Sequence, residues 1–226
     1  MNTKLKNLSL ERLRESISIW LWDNGAVKLN SDNPFQLASG NHSPIYINCR
    51  QVLSDVSFMG LFTASARIIL QIANVRSDVI AGGETAGIPL GAYIAKDFSL
   101  PMMYVRKMKK GYGLANLVEG GDPKEKQVLL VEDLITDGGS KVSFIESIRA
   151  AGGVIEEALV LFDRQQGGEE LLKGMGVRLH SILDLHSTIE IAKENKIMTE
   201  QEFSSLSNYL SDPKGWHIEQ GLTYSS

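Results

Sequence analysis

The sequence predicts an α/β fold: a central, mostly parallel sheet flanked by helices, with a small N-terminal hood. Three observations carry this. Short apolar runs at Asp78–Ala81, Pro101–Val105, Val128–Val131, Ile155–Phe162 and Val177–Ile182 alternate with stretches of helical spacing. The strongest of these runs are almost continuously apolar, as strands covered on both faces must be. Glycines or acidic residues follow the runs that end at Ala81, Val131 and Phe162, where the chain leaves the sheet.

The first helix is expected from Leu10 to about Trp22, where Leu13, Ile17, Trp20 and Leu21 share one side. Gly25 ends it. Two short strands, Ala26–Leu29 and Ile45–Asn48, flank SDNPFQLASGNHSP, a segment rich in turn formers. Helical spacing resumes from about Phe58 to Ile72. Gly82 and Gly83 follow the first sheet strand and lead to a helix over Ile88–Lys96. After Pro101–Val105 comes a basic, glycine-containing run, RKMKKGYGLANLVEGG. The Val128–Val131 strand feeds a helix over Ser140–Ala151 that Gly152 and Gly153 terminate. Helices over Thr188–Asn195 and Glu200–Leu210 complete the set. No repeat, low-complexity segment or linker divides the chain, so one domain over residues 1–226 is expected, its first 50 or so forming the helix and hood.

Composition excludes several classes. A formal net charge of −4 lacks the basic face that a general nucleic-acid binder needs to displace counterions. Cys49 is the only cysteine, which excludes an intrachain disulfide framework or a cysteine zinc site and suits a reducing compartment. The N-terminus has no apolar core of signal-peptide length, and no apolar stretch approaches a membrane span. A cytoplasmic protein without a membrane partner is expected.

The chemistry concentrates in Val128–Lys141, VLLVEDLITDGGSK. Its apolar strand delivers Glu132 and Asp133 to the sheet edge where open α/β sheets bind ligands. Thr136-Asp137-Gly138-Gly139-Ser140 then opens a helix: two glycines admit an anion close to the backbone, the first helical amides point at it, and two hydroxyls add donors. The two acids suit ribose hydroxyls, from which they accept hydrogen bonds, and they favour positive charge developing at an anomeric carbon. A plain strand-to-helix turn would also place a serine and acids near a helix start.

VLLVEDLITDGGSK resembles the phosphoribosyl pyrophosphate signature of the type I phosphoribosyltransferases. The resemblance implies that fold, with Glu132 and Asp133 on the ribose and Thr136 to Ser140 on the 5-phosphate. Three further segments are similar to orotate phosphoribosyltransferases in order and spacing: FQLASGNHSPIYINCR from Phe35, AGGETAGIPLGAYIA from Ala81, and YVRKMKKGYGLANLVEGG from Tyr104. They imply a diphosphate site from Glu84, Thr85, Ala86, Arg106, Lys107, Lys110 and Tyr112. Lys110 is then a catalytic residue reaching the neighbouring subunit's site in a homodimer, alongside Glu132 and Asp133. Residues Gly83 to Gly87 can present successive amides to an anion, and Arg106, Lys107, Lys109 and Lys110 concentrate cations where diphosphate would leave. Phe35, Thr136 and Arg164 are expected at the orotate, the guanidinium suiting a planar carboxylate.

Tyr112 replaces a frequent loop histidine, Ala86 a lysine of the diphosphate loop and His42 a lysine of the N-terminal motif, while Glu132 stands where aspartate is commoner. The implied reaction converts orotate and 5-phosphoribosyl 1-pyrophosphate (PRPP) to orotidine 5′-monophosphate and diphosphate. Mg²⁺ is expected as cofactor, held mainly by the substrate rather than by protein ligands. A decarboxylase for the product is expected as a separate protein. The other readings are a purine-specific transferase of the same fold and a non-catalytic nucleotide sensor. Cys49 is expected to be structural.

Overall fold

The five apolar runs do pair into one sheet, and the computed structural model, which describes residues 3–37, 40–107 and 117–224, shows how they are covered. The chain opens with α1 (Thr3–Asp23). It begins before the expected Leu10 because Leu5 and Leu8 of its first turns are exposed and leave no apolar stripe to read. Arg14 pins it across the sheet, donating to the carbonyls of Ile182 at 2.7 Å and Ser181 at 3.1 Å.

The hood follows. β1 (Val27–Leu29) pairs antiparallel with β4 (Ile45–Ile47), and between them β2 (Phe35–Gln36) pairs antiparallel with β3 (His42–Ser43). A 3₁₀ turn, Cys49–Ser54, leads to α2 (Val56–Ile72). Asp55 caps α2, one carboxylate oxygen accepting from the amides of Ser57 and Phe58 at 2.8 and 3.2 Å and the other from the Trp20 indole at 2.8 Å. The Phe58 amide and the indole hold this carboxyl below the usual range.

The α/β core comprises β5 (Val79–Gly83), α3 (Gly87–Phe98), β6 (Met102–Val105), β7 (Val118–Glu119), β8 (Gln127–Ile135), α4 (Gly139–Ala150), β9 (Val154–Asp163), α5 (Gly168–Gly174) and β10 (Arg178–Asp184). The sheet order is β10-β9-β8-β5-β6-β7, parallel throughout except for β7, which runs antiparallel along the edge. Side chains alternate across it. Leu129, Val131, Leu159 and Leu161 face the hood, α1, α2 and α3, whereas Val128, Leu130, Ala158 and Val160 face Phe144, Ile145 and Ile148 of α4 and Leu172 of α5. From β5 the chain winds one way through β6, and from β8 the other way through β9 and β10. The reversal between β5 and β8 opens a crevice at their carboxyl ends.

Three helices complete the described chain: α6 (Leu185–Glu194), α7 (Glu200–Ser211) and α8 (Pro213–Glu219). They reach back to the hood. The His42 amide donates to His217 Nε2 at 3.0 Å, so the ring carries its proton on Nδ1, which donates to the Pro213 carbonyl at 2.6 Å. Tyr209, Trp216 and Tyr224 enclose that fully buried ring. No helix among the described residues is long and apolar enough to cross a membrane.

Candidate active site

A cleft of about 380 Å³ lies over the β5–β8 reversal, lined from four directions. The β5–α3 turn contributes Glu84, Thr85 and Ala86; the end of β6 contributes Lys107; β8 and the following loop contribute Glu132, Asp133, Thr136, Asp137, Gly138 and Ser140; and the hood contributes Tyr46 to Arg50. Glu84 ties two of these walls together. Its amide donates to the Val105 carbonyl at 2.8 Å, and its carboxylate accepts from the Lys107 amide at 2.8 Å. The Glu84–Thr85 peptide is cis.

Contrary to the sequence expectation, β8 does not end at Val131. It continues through Ile135, with Glu132 opposite Val160 and Ile135 opposite Asp163. Glu132 and Asp133 are therefore consecutive strand residues and point to opposite faces. Glu132 follows Val128 and Leu130 to the α4 side, where it is 4% exposed. One oxygen pairs with Lys141 Nζ at 2.8 Å; the other lies against Gly83 and Gly87 without a hydrogen-bond partner among the described residues. Burial pushes its carboxyl up, and the Lys141 ammonium opposes that shift. Asp133 faces the hood side beside Cys49 and remains partly exposed.

The loop after β8 turns tightly into α4. Gly138, at φ 87°, sits in the left-handed region and turns the chain into α4. Asp137 Oδ1 accepts from the Gly139 amide at 3.0 Å, so this carboxylate closes the turn. Gly139 itself does not line the cleft.

Arg164 and Phe35 lie behind the cleft wall. Arg164 follows β9, and its amide donates to the Ile135 carbonyl at 3.0 Å. Its side chain is largely buried near Cys49 and Tyr209, with Nε unpartnered among the described residues; desolvation holds its pKa below the ordinary value. The Phe35 ring packs on Tyr46, centroids 5.5 Å apart, and Tyr46 reaches the cleft in its place. Arg106 does not line the cleft either, and its Nη1 is buried without a partner among the described residues. Lys109, Lys110 and Tyr112 lie outside the described residues. The fully desolvated Cys49 thiol is pushed up first by burial and then by Asp133, so it stays protonated. Two participants carried no assigned role in the sequence reading, although both lay within segments it singled out: Lys141 at the start of α4 and Tyr46 in the hood. The signal for Lys141 was a cation in the first turn of a helix, where the macrodipole disfavours it.

A phosphoribosyl transferase domain model matches residues 56–183. The orotate phosphoribosyltransferase of Rhizobium johnstonii is 39% identical over 211 residues, covering 92% of each chain. The chain belongs to the orotate phosphoribosyltransferase family. Membership makes it a pentosyltransferase of the type I fold. The orotate phosphoribosyltransferase structure from Aeropyrum pernix is 35% identical with a TM-score of 0.68, covering 81% of this chain and 99% of that one. The UMP synthase of Leishmania donovani is 26% identical with a TM-score of 0.74, covering 88% of this chain and 42% of that one. The family match spans the sheet and both walls of the crevice; the hood and α1 lie before its first residue.

Proposed function

We propose that the protein transfers the 5-phosphoribosyl group of PRPP to orotate, forming orotidine 5′-monophosphate and diphosphate for pyrimidine nucleotide synthesis. The observation that carries the reading is the crevice itself. Thr136, Asp137, Gly138 and Ser140 of the β8–α4 loop, Glu84 to Ala86 of the β5–α3 turn, Lys107, Glu132 and Asp133 all line one cleft. A cleft bordered by two such loops and a lysine supports binding of a sugar that carries phosphate at one end and diphosphate at the other.

In this reading Thr136 to Ser140 hold the 5-phosphate, and Asp133 accepts from a ribose hydroxyl. Glu132, buried beneath the diphosphate turn, borders the ribose from the other face of β8. Glu84, Thr85, Ala86, Arg106 and Lys107 border the diphosphate, and Lys110 and Tyr112 are assigned to it as well, Lys110 neutralising its departure. As the bond from the anomeric carbon to diphosphate breaks and that to the orotate ring nitrogen forms, the carboxylates stabilise positive charge on the ribose. Arg164 pairs with the orotate carboxylate, with Thr136 and Phe35 bordering the ring. Mg²⁺ prefers oxygen ligands and keeps several waters. The cleft has room for such an ion, and the substrate's diphosphate and ribose hydroxyls would hold it, with no side chain assigned to it. When bound it offsets the diphosphate charge. The reading places the reaction in the cytoplasm, in a homodimer whose Lys110 acts in the neighbouring site, with a separate decarboxylase consuming the product.

The ultraviolet absorbance of orotate should fall on addition of PRPP and Mg²⁺, with no turnover of adenine, hypoxanthine or uracil. Turnover of a purine without orotate would replace this reading. Sharing of sites has its own test: mixing a Lys110→Ala chain with an Asp133→Asn chain should restore activity in hybrid dimers. Confirmed heterodimers without rescue would refute Lys110 acting in trans.

A further inference from the structure

We propose that Glu84 is a positioning residue for diphosphate binding: its carboxylate fixes the main chain of Lys107, so that the lysine meets the anion from a stem already in place. The proposal rests on the transferase reading and deepens it, giving the acid of the diphosphate turn a task as an acceptor rather than as a charge.

An acid in this turn needs explaining. Glu84 lines the same cleft as Thr85, Ala86 and Lys107, where its charge opposes any diphosphate. The sheet register supplies the reason. β5 and β6 pair in parallel from Ile80 opposite Met102 to Gly83 opposite Val105. In such a ladder a residue donates to the carbonyl before its partner and accepts from the amide after it. The Ile80 amide donates to the Pro101 carbonyl at 3.0 Å, and the Glu84 amide to the Val105 carbonyl at 2.8 Å. The next rung of this pattern would join the Lys107 amide to the Glu84 main-chain carbonyl. β5 has ended at Gly83, and the Lys107 amide donates instead to the Glu84 carboxylate at 2.8 Å. The side chain carries the ladder one rung past the strand.

That rung fixes a cation of the cleft. On the β7 side the Arg106 amide donates to the Leu117 carbonyl at 2.9 Å, so the main chain at 106 and 107 is held from both sides. Lys107 is exposed, and its flexible four-carbon stem leaves the ammonium many positions. With the backbone fixed, only that stem remains to be ordered when an anion binds, which lowers the entropic cost of binding. The task requires an acceptor at the reach of a glutamate side chain, and it does not require a negative charge.

Calorimetric titration of PRPP into the full chain at several Mg²⁺ concentrations tests this, alongside steady-state kinetics. Glu84→Ala should weaken PRPP binding ~10-fold, the scale of a hydrogen bond to a charged acceptor, and leave the KM for orotate unchanged. Glu84→Gln keeps an acceptor at the same reach and should recover most of that loss, with the same Mg²⁺ requirement. In a Lys107→Ala background the Glu84→Ala change should cost little more, because Glu84 acts through Lys107. Unchanged PRPP affinity in Glu84→Ala would overturn the proposal, as would full additivity with Lys107→Ala. A loss in Glu84→Gln as large as in Glu84→Ala, or a raised Mg²⁺ requirement, would make the charge the functional part and overturn it too. If Glu84→Ala does not fold, Glu84→Met, which keeps the aliphatic stem without a strong acceptor, takes its place. A weakened Glu84→Gln counts against the proposal whatever the fate of the others. A chain that binds PRPP but leaves orotate unreacted fails the transferase reading and leaves the Glu84 comparison in force.

Discussion

Replacing Arg164 by Met should lower kcat/KM for orotate by ~10²- to 10³-fold, the scale of losing a charge-assisted bidentate partner in a desolvated site. PRPP affinity and the melting temperature of the free protein should hold. The two halves of this result have one cause. Without substrate the guanidinium is largely buried, its Nε has no partner among the described residues, and burial lowers its pKa. Its neighbours are the neutral thiol of Cys49 and the hydroxyl of Tyr209 rather than a carboxylate. A cation desolvated without a counter-ion weakens the fold that holds it, and it strengthens binding of the anion that completes it. Methionine keeps the aliphatic packing and removes the desolvation cost. Orotate kinetics, PRPP titration and thermal melting of the one variant separate the terms. A melting point far below that of the unaltered protein would show that Arg164 is a structural residue.

Gly87→Ala should be the most damaging single methyl in the site. An added Cβ there meets the buried Glu132 carboxylate and the Val131 carbonyl of β8. Neither can move cheaply. Val131 is a central residue of the sheet, hydrogen-bonded into ladders on both sides, and Glu132 is held by Lys141. The helix must shift instead, taking the Glu84–Ala86 turn with it. Overpacking of this kind costs ~2–3 kcal/mol, or ~5–10 °C in melting temperature for a chain of this size. PRPP binding should fall further than stability alone accounts for, because the displaced turn is a wall of the cleft. Gly60→Ala is the control: its Cβ would meet nothing within 4 Å, and alanine in the middle of α2 should be neutral or stabilising. Equal melting temperatures for the two variants would argue against close packing at Gly87.

The parallel strands were legible because burial on both faces makes them continuously apolar, and the glycines that close β5 and precede α4 marked the turns. The same signal misplaced the end of β8. Hydrophobicity reports burial against neighbours, whereas the strand continues as long as its ladder with β9 does, and that ladder carries Glu132 and Asp133 inside it. α5 and α8 are seven-residue helices, too short to show a period, and β2 and β3 hide in a segment whose composition signals only turns. Within the site, the tight turn into α4 could be read from its glycines. That the two acids face opposite ways could not, since it depends on where the strand stops. Nor could the burial of Lys141, because a lysine at the start of a helix looks like a solvated one until its partner is found on the neighbouring strand.

The contact between His42 and His217 also dictates an order of assembly. The hood amide is synthesised well before the ring nitrogen that accepts from it, which lies 175 residues later. Arg14 likewise waits for the carbonyls of Ser181 and Ile182. During synthesis β5, β8 and the turn into α4 emerge before α8, and the hood cannot be fastened through His217 until α8 follows. The walls of the cleft that come from the sheet can therefore form before the hood is fastened beside them.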